Sequence, residues 1–209
     1  MRMLASRSIS ILMAVFAFVP LALKAAPEPA DPAVAQVQMF YTALIGTMKR
    51  GKELGIQGRY KELAPVVDAT FDLPGMARLS VGPAWNMLSE PDRQTIVDAF
   101  TRMTVANYAK NFATFGGEQF TTDPMVKMRN EDKIVESKLI GSNKATTPFN
   151  YRLHKVGDSW KVLDVYLNGY VSQLALRRAD FSSTVSSAGA AGLVKKINDL
   201  VDKQMADAS

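Results

Sequence analysis

Apolar residues recur at helical spacing from about Pro32 to Phe115, alternate as in strands from about Gln119 to Asn168, and return to helical spacing from Gly169 onward. That order predicts a helical block, a run of hairpins and a helical tail, with no internal repeat and no linker long enough to demand a second domain. In the first helix Val34, Val37, Tyr41, Leu44, Ile45 and Met48 share a face, and Gly51 with Gly55 loosens its exit. A second stretch carries Tyr60, Leu63, Val67 and Phe71, where Pro65 implies either a kink or a helix that begins there. Asp72 is placed to cap a short helix holding Met76 and Leu79, which Gly82-Pro83 must end. Ser89 and Asp92 have capping-box spacing, with Pro91 in the first turn. They open the most regular helix, whose stripe is Val97, Phe100, Thr104, Tyr108, Phe112 and Phe115 before Gly116-Gly117 stops it.

Four antiparallel strands are expected: Gln119–Met128, Lys133–Ile140, Thr146–Val156 and Trp160–Leu167, separated by polar or glycine-bearing turns. In the third, Phe149, Tyr151 and Leu153 point one way and Asn150, Arg152 and His154 the other. The fourth is apolar on both faces, with Val162 and Tyr166 opposite Leu163, Val165 and Leu167, so both sides need cover. Two readings of the apolar stripes stand side by side. They are ordinary core, or part of them lines a cavity between a curved sheet and the helices, for which eight methionines after residue 26 supply adaptable walls. Tyr108, Phe112, Tyr151, Leu153 and Val165 are expected to meet where the long helix crosses the sheet.

Charge alters this picture only briefly. The chain of 209 residues carries a formal charge of +5, which invites a nucleic-acid partner. But Arg2 and Arg7 precede an apolar run from Ile9 to Leu23, followed by Lys24, Ala25, Ala26 and the proline-rich Pro27-Glu28-Pro29-Ala30-Asp31-Pro32, the order of a secretory signal peptide. Cleavage near Ala26 makes residues 1–26 the signal and 27–209 the mature single domain; an uncleaved anchor is the alternative, although the run is short for a span of roughly 20 residues. Removing the signal takes away three positive charges and leaves 22 basic against 20 acidic residues, so the case for nucleic acid dissolves.

The chain has no cysteine and one histidine, which excludes disulfides, thiolate sites and metal centres built from several imidazoles. No cofactor is expected. Two candidates remain for acid–base chemistry. His154 lies on the polar side of its strand, and Asp164 falls in a strand that should be buried, where a carboxylate needs a partner. Arg177 and Arg178 are candidates to face anionic headgroups, or simply form a solvated helix face.

The stretch from Phe71-Asp72-Leu73-Pro74-Gly75-Met76 through Val81-Gly82-Pro83-Ala84-Trp85, with Leu88-Ser89 and Ala99-Phe100, resembles the toluene-tolerance/MlaC family of periplasmic lipid-binding proteins. So do Trp160-Lys161-Val162-Leu163-Asp164-Val165-Tyr166-Leu167-Asn168-Gly169, Asp180-Phe181-Ser182 and the closing Gly192-Leu193-Val194. Asp72-Leu73-Pro74 and Val165 to Ala175 are most similar to the hopanoid-associated branch, HpnM. The resemblance implies an α+β body with a helical N-terminal block, a four-stranded antiparallel NTF2-like curved sheet, C-terminal helices and an apolar cavity between sheet and helices. It implies a monomeric periplasmic carrier of phospholipid or hopanoid, and not an enzyme. Such a carrier works between an outer-membrane lipid-transfer protein and an inner-membrane ABC or RND-type transporter. The residues placed at the lipid are Met76, Leu79, Tyr108, Phe112, Phe115, Tyr151, Leu153, Val165 and Leu167. A periplasmic NTF2-like enzyme and a protein-only adaptor are the alternatives.

Overall fold

The computed structural model describes residues 30–206; the signal sequence expected at 1–26 lies outside them. Helix α1 (Pro32–Lys49) starts where Asp31 accepts a 2.9 Å hydrogen bond from the Ala33 amide. The same carboxylate takes a 2.7 Å ion pair from Lys133, pinning the start of the helix to the sheet. Helix α2 (Gly51–Thr70) is broken at Gly55 and remains helical through Pro65, so no helix begins at Pro65. Gly51 itself admits no side chain, since a Cβ there would lie 1.8 Å from the Ala113 carbonyl oxygen.

Helix α3 (Leu73–Val81) is capped by Asp72, whose carboxylate accepts from the Gly75 amide at 3.1 Å. It ends at Gly82, where a 3-10 turn (Gly82–Met87) begins. In helix α4 (Glu90–Asn111) Ser89 is the N-cap and exchanges bonds with both the amide and the carboxylate of Asp92, as its spacing predicts. The helix stops at Asn111, five residues before Gly116. Buried Arg59 donates to the Ala109 carbonyl at 2.8 Å and the Gly51 carbonyl at 2.7 Å, fixing the end of α4 against the start of α2.

The sheet is an antiparallel meander of β1 (Gln119–Arg129), β2 (Asp132–Ile140), β3 (Thr146–Val156), β4 (Ser159–Leu167) and β5 (Val171–Ser172), paired in chain order. Five strands replace the expected four, because the chain doubles back after Asn168-Gly169 and pairs two residues with the end of β4 before helix α5 (Gln173–Ala206) begins. That helix is interrupted at Gly189, whose φ of 67° lies in the left-handed region that glycine favours.

A register shift also alters β4. Arg152 pairs with Asp164 but Leu153 pairs with Val162, so Leu163 is an extra residue on β4. Val162 therefore joins Val165 on the face shared with Tyr151 and Leu153, which strict alternation had denied it. Leu163 instead approaches Gly75 of α3. The other edge of β4 is covered by a parallel bridge from Phe71 to Val162, with the Asp72 amide donating to the Val162 carbonyl at 2.9 Å.

The core sits between the inner sheet face and the helices. Phe40 meets Phe71 edge-on at 5.2 Å and Tyr108 at 5.0 Å; Tyr41 stacks on Phe120 at 4.3 Å and meets Tyr151 at 5.8 Å. The Tyr41 hydroxyl is 2.5 Å from Ser137 Oγ, so its buried oxygen has a partner. No described helix is long and apolar enough to cross a membrane.

Candidate functional site

On α4 the helical period aligns Phe100, Thr104 and Tyr108, with Asn107 and Asn111 one step around and Phe112 at the C-cap just beyond. Opposite them, cross-strand pairing of Phe149 with Leu167 and Tyr151 with Val165 puts these side chains on the inner sheet face. Phe71 and Met76 come from the corner between α2 and α3, and Gln173 and Arg177 from the first turns of α5. Between these elements lies a cavity of about 360 Å³, lined by Phe71, Met76, Phe100, Phe112, Phe149, Val165 and Leu167 with Tyr108, and on its polar side by Thr104, Asn107, Asn111, Gln173 and Arg177. Few polar groups on a mostly apolar wall is the composition of a site for an amphiphile.

Five of the nine residues placed at the lipid from the sequence line this cavity: Met76, Tyr108, Phe112, Val165 and Leu167. Four do not. Tyr151 and Leu153 share the inner sheet face but are core, Tyr151 covered by the ring of Tyr41. Leu79 packs partly buried against the core, and Phe115, beyond the end of α4, is exposed under the Lys49 ammonium at 5.2 Å. The expected meeting of five residues thus separates into a lining trio, Tyr108, Phe112 and Val165, and a core pair, Tyr151 and Leu153. Among the residues missed, Phe71, Phe100 and Phe149 carried the apolar stripe signal. Asn107, Asn111 and Gln173 gave none beyond helical spacing beside that stripe.

The polar groups differ in how far they are committed. Thr104 returns its hydroxyl to the Phe100 carbonyl at 2.8 Å, and Asn107 accepts from the Gln204 amide at 2.6 Å. Burial raises the Tyr108 phenol above its ordinary range, opposed by the nearby Arg177 charge. The same burial lowers the Arg177 guanidinium, opposed by Tyr108 and Asp164.

Neither acid–base candidate reaches the cavity. Asp164 is buried, and its carboxylate accepts from the Val165 amide at 2.8 Å, the Leu174 amide at 3.2 Å and the Ser172 hydroxyl at 2.5 Å. Ser172 Oγ in turn accepts from the Ala175 amide, so the pair caps α5. The partner that burial demanded of Asp164 is thus a helix start and a serine. His154 Nε2 sits 2.8 Å from the Asp72 carboxylate, which caps α3. Among the described residues no group of three or more His, Cys, Asp or Glu is placed to hold a metal ion.

Residues 38–199 match the family model described as MlaC protein. The toluene tolerance protein ttg2D of Pseudomonas putida is 27% identical over 167 residues, covering 78% of this chain and 74% of that protein. A phospholipid-binding protein from Ralstonia solanacearum, solved in complex with a phospholipid, superposes with a TM-score of 0.73 over 83% of this chain and 99% of its own; at 19% identity it shares the fold. The chain belongs to the MlaC family.

Proposed function

We propose that this member of the MlaC family is a lipid carrier, which takes the apolar part of a membrane lipid into the cavity between α4, the inner sheet face and the start of α5. The observation that supports this reading most directly is the cavity itself: aromatic and aliphatic side chains from four separate elements surround about 360 Å³ that no side chain fills. At about 30 Å³ per water-sized group, this accommodates on the order of a dozen methylenes. At about 0.8 kcal/mol each, their burial contributes about 10 kcal/mol before losses. Spontaneous release into water is then slow, and unloading depends on a protein partner. A lipid with two tails of about 16 carbons exceeds this volume, so part of it stays outside the cavity unless the walls part.

In this reading the chain is exported, loses a signal peptide near Ala26 and works as a periplasmic monomer. It carries phospholipid or hopanoid between an outer-membrane lipid-transfer protein and an inner-membrane ABC or RND-type transporter. The helix-covered, curved sheet corresponds to an NTF2-like cone, used for binding and not for catalysis. Asp164 and His154 then serve as clamps on α5 and α3.

Organic extraction of the purified mature protein followed by mass spectrometry tests the proposal. Phospholipid or hopanoid near one equivalent is expected; an empty protein that also takes up no lipid from vesicles overturns it. Intact-mass measurement of the exported protein should show loss of about 26 residues, and a full-length, membrane-retained chain would mean that the apolar run is an anchor.

A further inference from the structure

The cavity is apolar on most sides, yet Arg177 is among its lining residues, its charge near enough to the Tyr108 phenol of the same lining to act on it. Burying part of a cation is costly unless an anion or a set of acceptors compensates it. Arg177 has little of either. Among the described residues its one hydrogen bond runs from Nη1 to the Gln173 carbonyl of its own helix at 3.3 Å, a long contact for a charged donor. Among the described residues, no carboxylate lies within ion-pair distance of it. The nearby carboxylate that acts on it electrostatically, Asp164, is already occupied by two backbone amides and the Ser172 hydroxyl. Arg178 is differently employed: it lies outside the cavity lining and its Nε covers Gly82, so close that a Cβ there would meet it at 2.9 Å.

Helix geometry strengthens the contrast. At the start of α5 the Leu174 and Ala175 amides are taken by Asp164 and Ser172, so attraction for an anion on this side of the cavity comes from the Arg177 side chain and not from free amides. A guanidinium presents several coplanar donors, and all but the one bonded to Gln173 remain for an oxyanion. Tyr108 and Gln173 share the lining with it.

We propose that Arg177 is the headgroup anchor of this site, selecting amphiphiles whose apolar chain ends in an oxyanion over neutral lipids of the same tail. The assignment rests on the carrier reading and narrows its ligand class: an uncharged polycyclic lipid leaves Arg177 uncompensated, whereas the phosphate of a phospholipid or the carboxylate of a fatty acid compensates it.

The test loads delipidated wild-type protein, Arg177→Met and Arg177→Lys from nonionic-detergent micelles containing matched pairs in equal amounts. One pair is dioleoylphosphatidylglycerol with dioleoylglycerol; the other is oleate with methyl oleate. Bound lipid is extracted and quantified by mass spectrometry. Wild type is expected to enrich the charged partner at least about tenfold, the loss of that preference to follow Arg177→Met, and Arg177→Lys to keep part of it. Enrichment in the first pair identifies phosphate as the source of the oxyanion, and enrichment confined to the second identifies carboxylate. Equal loading of charged and neutral partners by the wild type overturns the assignment while leaving the carrier reading standing, and this arm needs no variant to fold. A preference unchanged in Arg177→Met overturns it equally. A wild-type protein that takes up none of the four lipids overturns the carrier reading and the anchor with it.

Discussion

Replacing Val165 by tryptophan separates a cavity from a filled core. Val165 is buried on the inner face of β4, beside Tyr151, and its side chain borders a space of about 360 Å³. An indole adds roughly seven heavy atoms to an isopropyl group, about half of what that space holds at about 30 Å³ per group. If the space is real, the ring enters it, and the stability of lipid-free protein changes by no more than about 1.5 kcal/mol. If Val165 instead faces packed side chains, overpacking costs about 1–3 kcal/mol or more. The two cases diverge further in lipid binding. Seven displaced methylenes at about 0.8 kcal/mol each remove about 5–6 kcal/mol of the gain from burying a tail, close to a 10⁴-fold loss of affinity. The assay pairs urea unfolding of delipidated wild type and variant with lipid uptake from vesicles, read by extraction and mass spectrometry. Delipidation is required because bound ligand raises apparent stability by mass action. A strongly destabilised variant, or a stable one that still loads fully, refutes the placement of Val165 on a lipid-accessible wall.

Asp164→Ala removes the acceptor for three donors, the Leu174 amide at the start of α5 among them, so chemical denaturation should show a loss of about 2–4 kcal/mol; a change under 0.5 kcal/mol would contradict the structural role. Burial raises the phenols of Tyr41, Tyr108 and Tyr151, that of Tyr41 to about 12. A phenol whose folded pKa is raised loses its proton at lower pH in the unfolded chain than in the folded one, so stability is intact below about pH 10 and falls between about pH 10 and 12. Tyr41 alone accounts for about 3 kcal/mol of that loss. Phenolate absorbance rising in step with unfolding checks this, whereas six tyrosines ionising together near pH 10 in folded protein would contradict it. Two glycines should respond oppositely to alanine: Gly51→Ala destabilises by more than about 2 kcal/mol because its Cβ collides with the Ala113 carbonyl, while exposed Gly46→Ala in α1, with open space around it, stabilises by about 0.5–1 kcal/mol. Thermal melts of both variants decide it, and melts that shift the same way would refute the reasoning.

What the sequence made legible follows from the range of each interaction. Caps at Asp72 and Ser89 depend on residues three apart, and the strand ends depend on turns of two to five residues, so local pattern located them closely. The features missed either depend on distant parts of the chain or are too short to show a pattern. Leu163 becomes the extra residue of β4 because β3 pairs across it, and nothing inside the run from Val162 to Leu167 marks which residue is displaced. Strand β5 is two residues long, too short for any alternation to appear. The end of α4 at Asn111 is set by Arg59, 50 positions from the Ala109 carbonyl that it binds, and by the close passage of Gly51.

The cavity follows the same logic with one further difficulty. An apolar stripe predicts that a residue is hidden from water without saying whether protein or empty space lies beyond it. Tyr108 and Tyr151 carry the same signal; Tyr151 meets the ring of Tyr41, while Tyr108 reaches both the Phe40 ring and the cavity. Phe115 fails for a different reason, since its place on the stripe assumes a helix that has already ended. The polar lining was harder still, because Asn107, Asn111 and Gln173 read as solvated positions on any helical wheel, and Arg177, a headgroup candidate from the sequence, fitted a solvated face as well. Only the docking of α4 and α5 around the inner sheet face gives these ordinary surface residues an apolar cavity to border. In the proposed carrier the ligand's chemistry therefore rests largely on positions that pattern leaves to solvent, while its size rests on positions that pattern assigns to core.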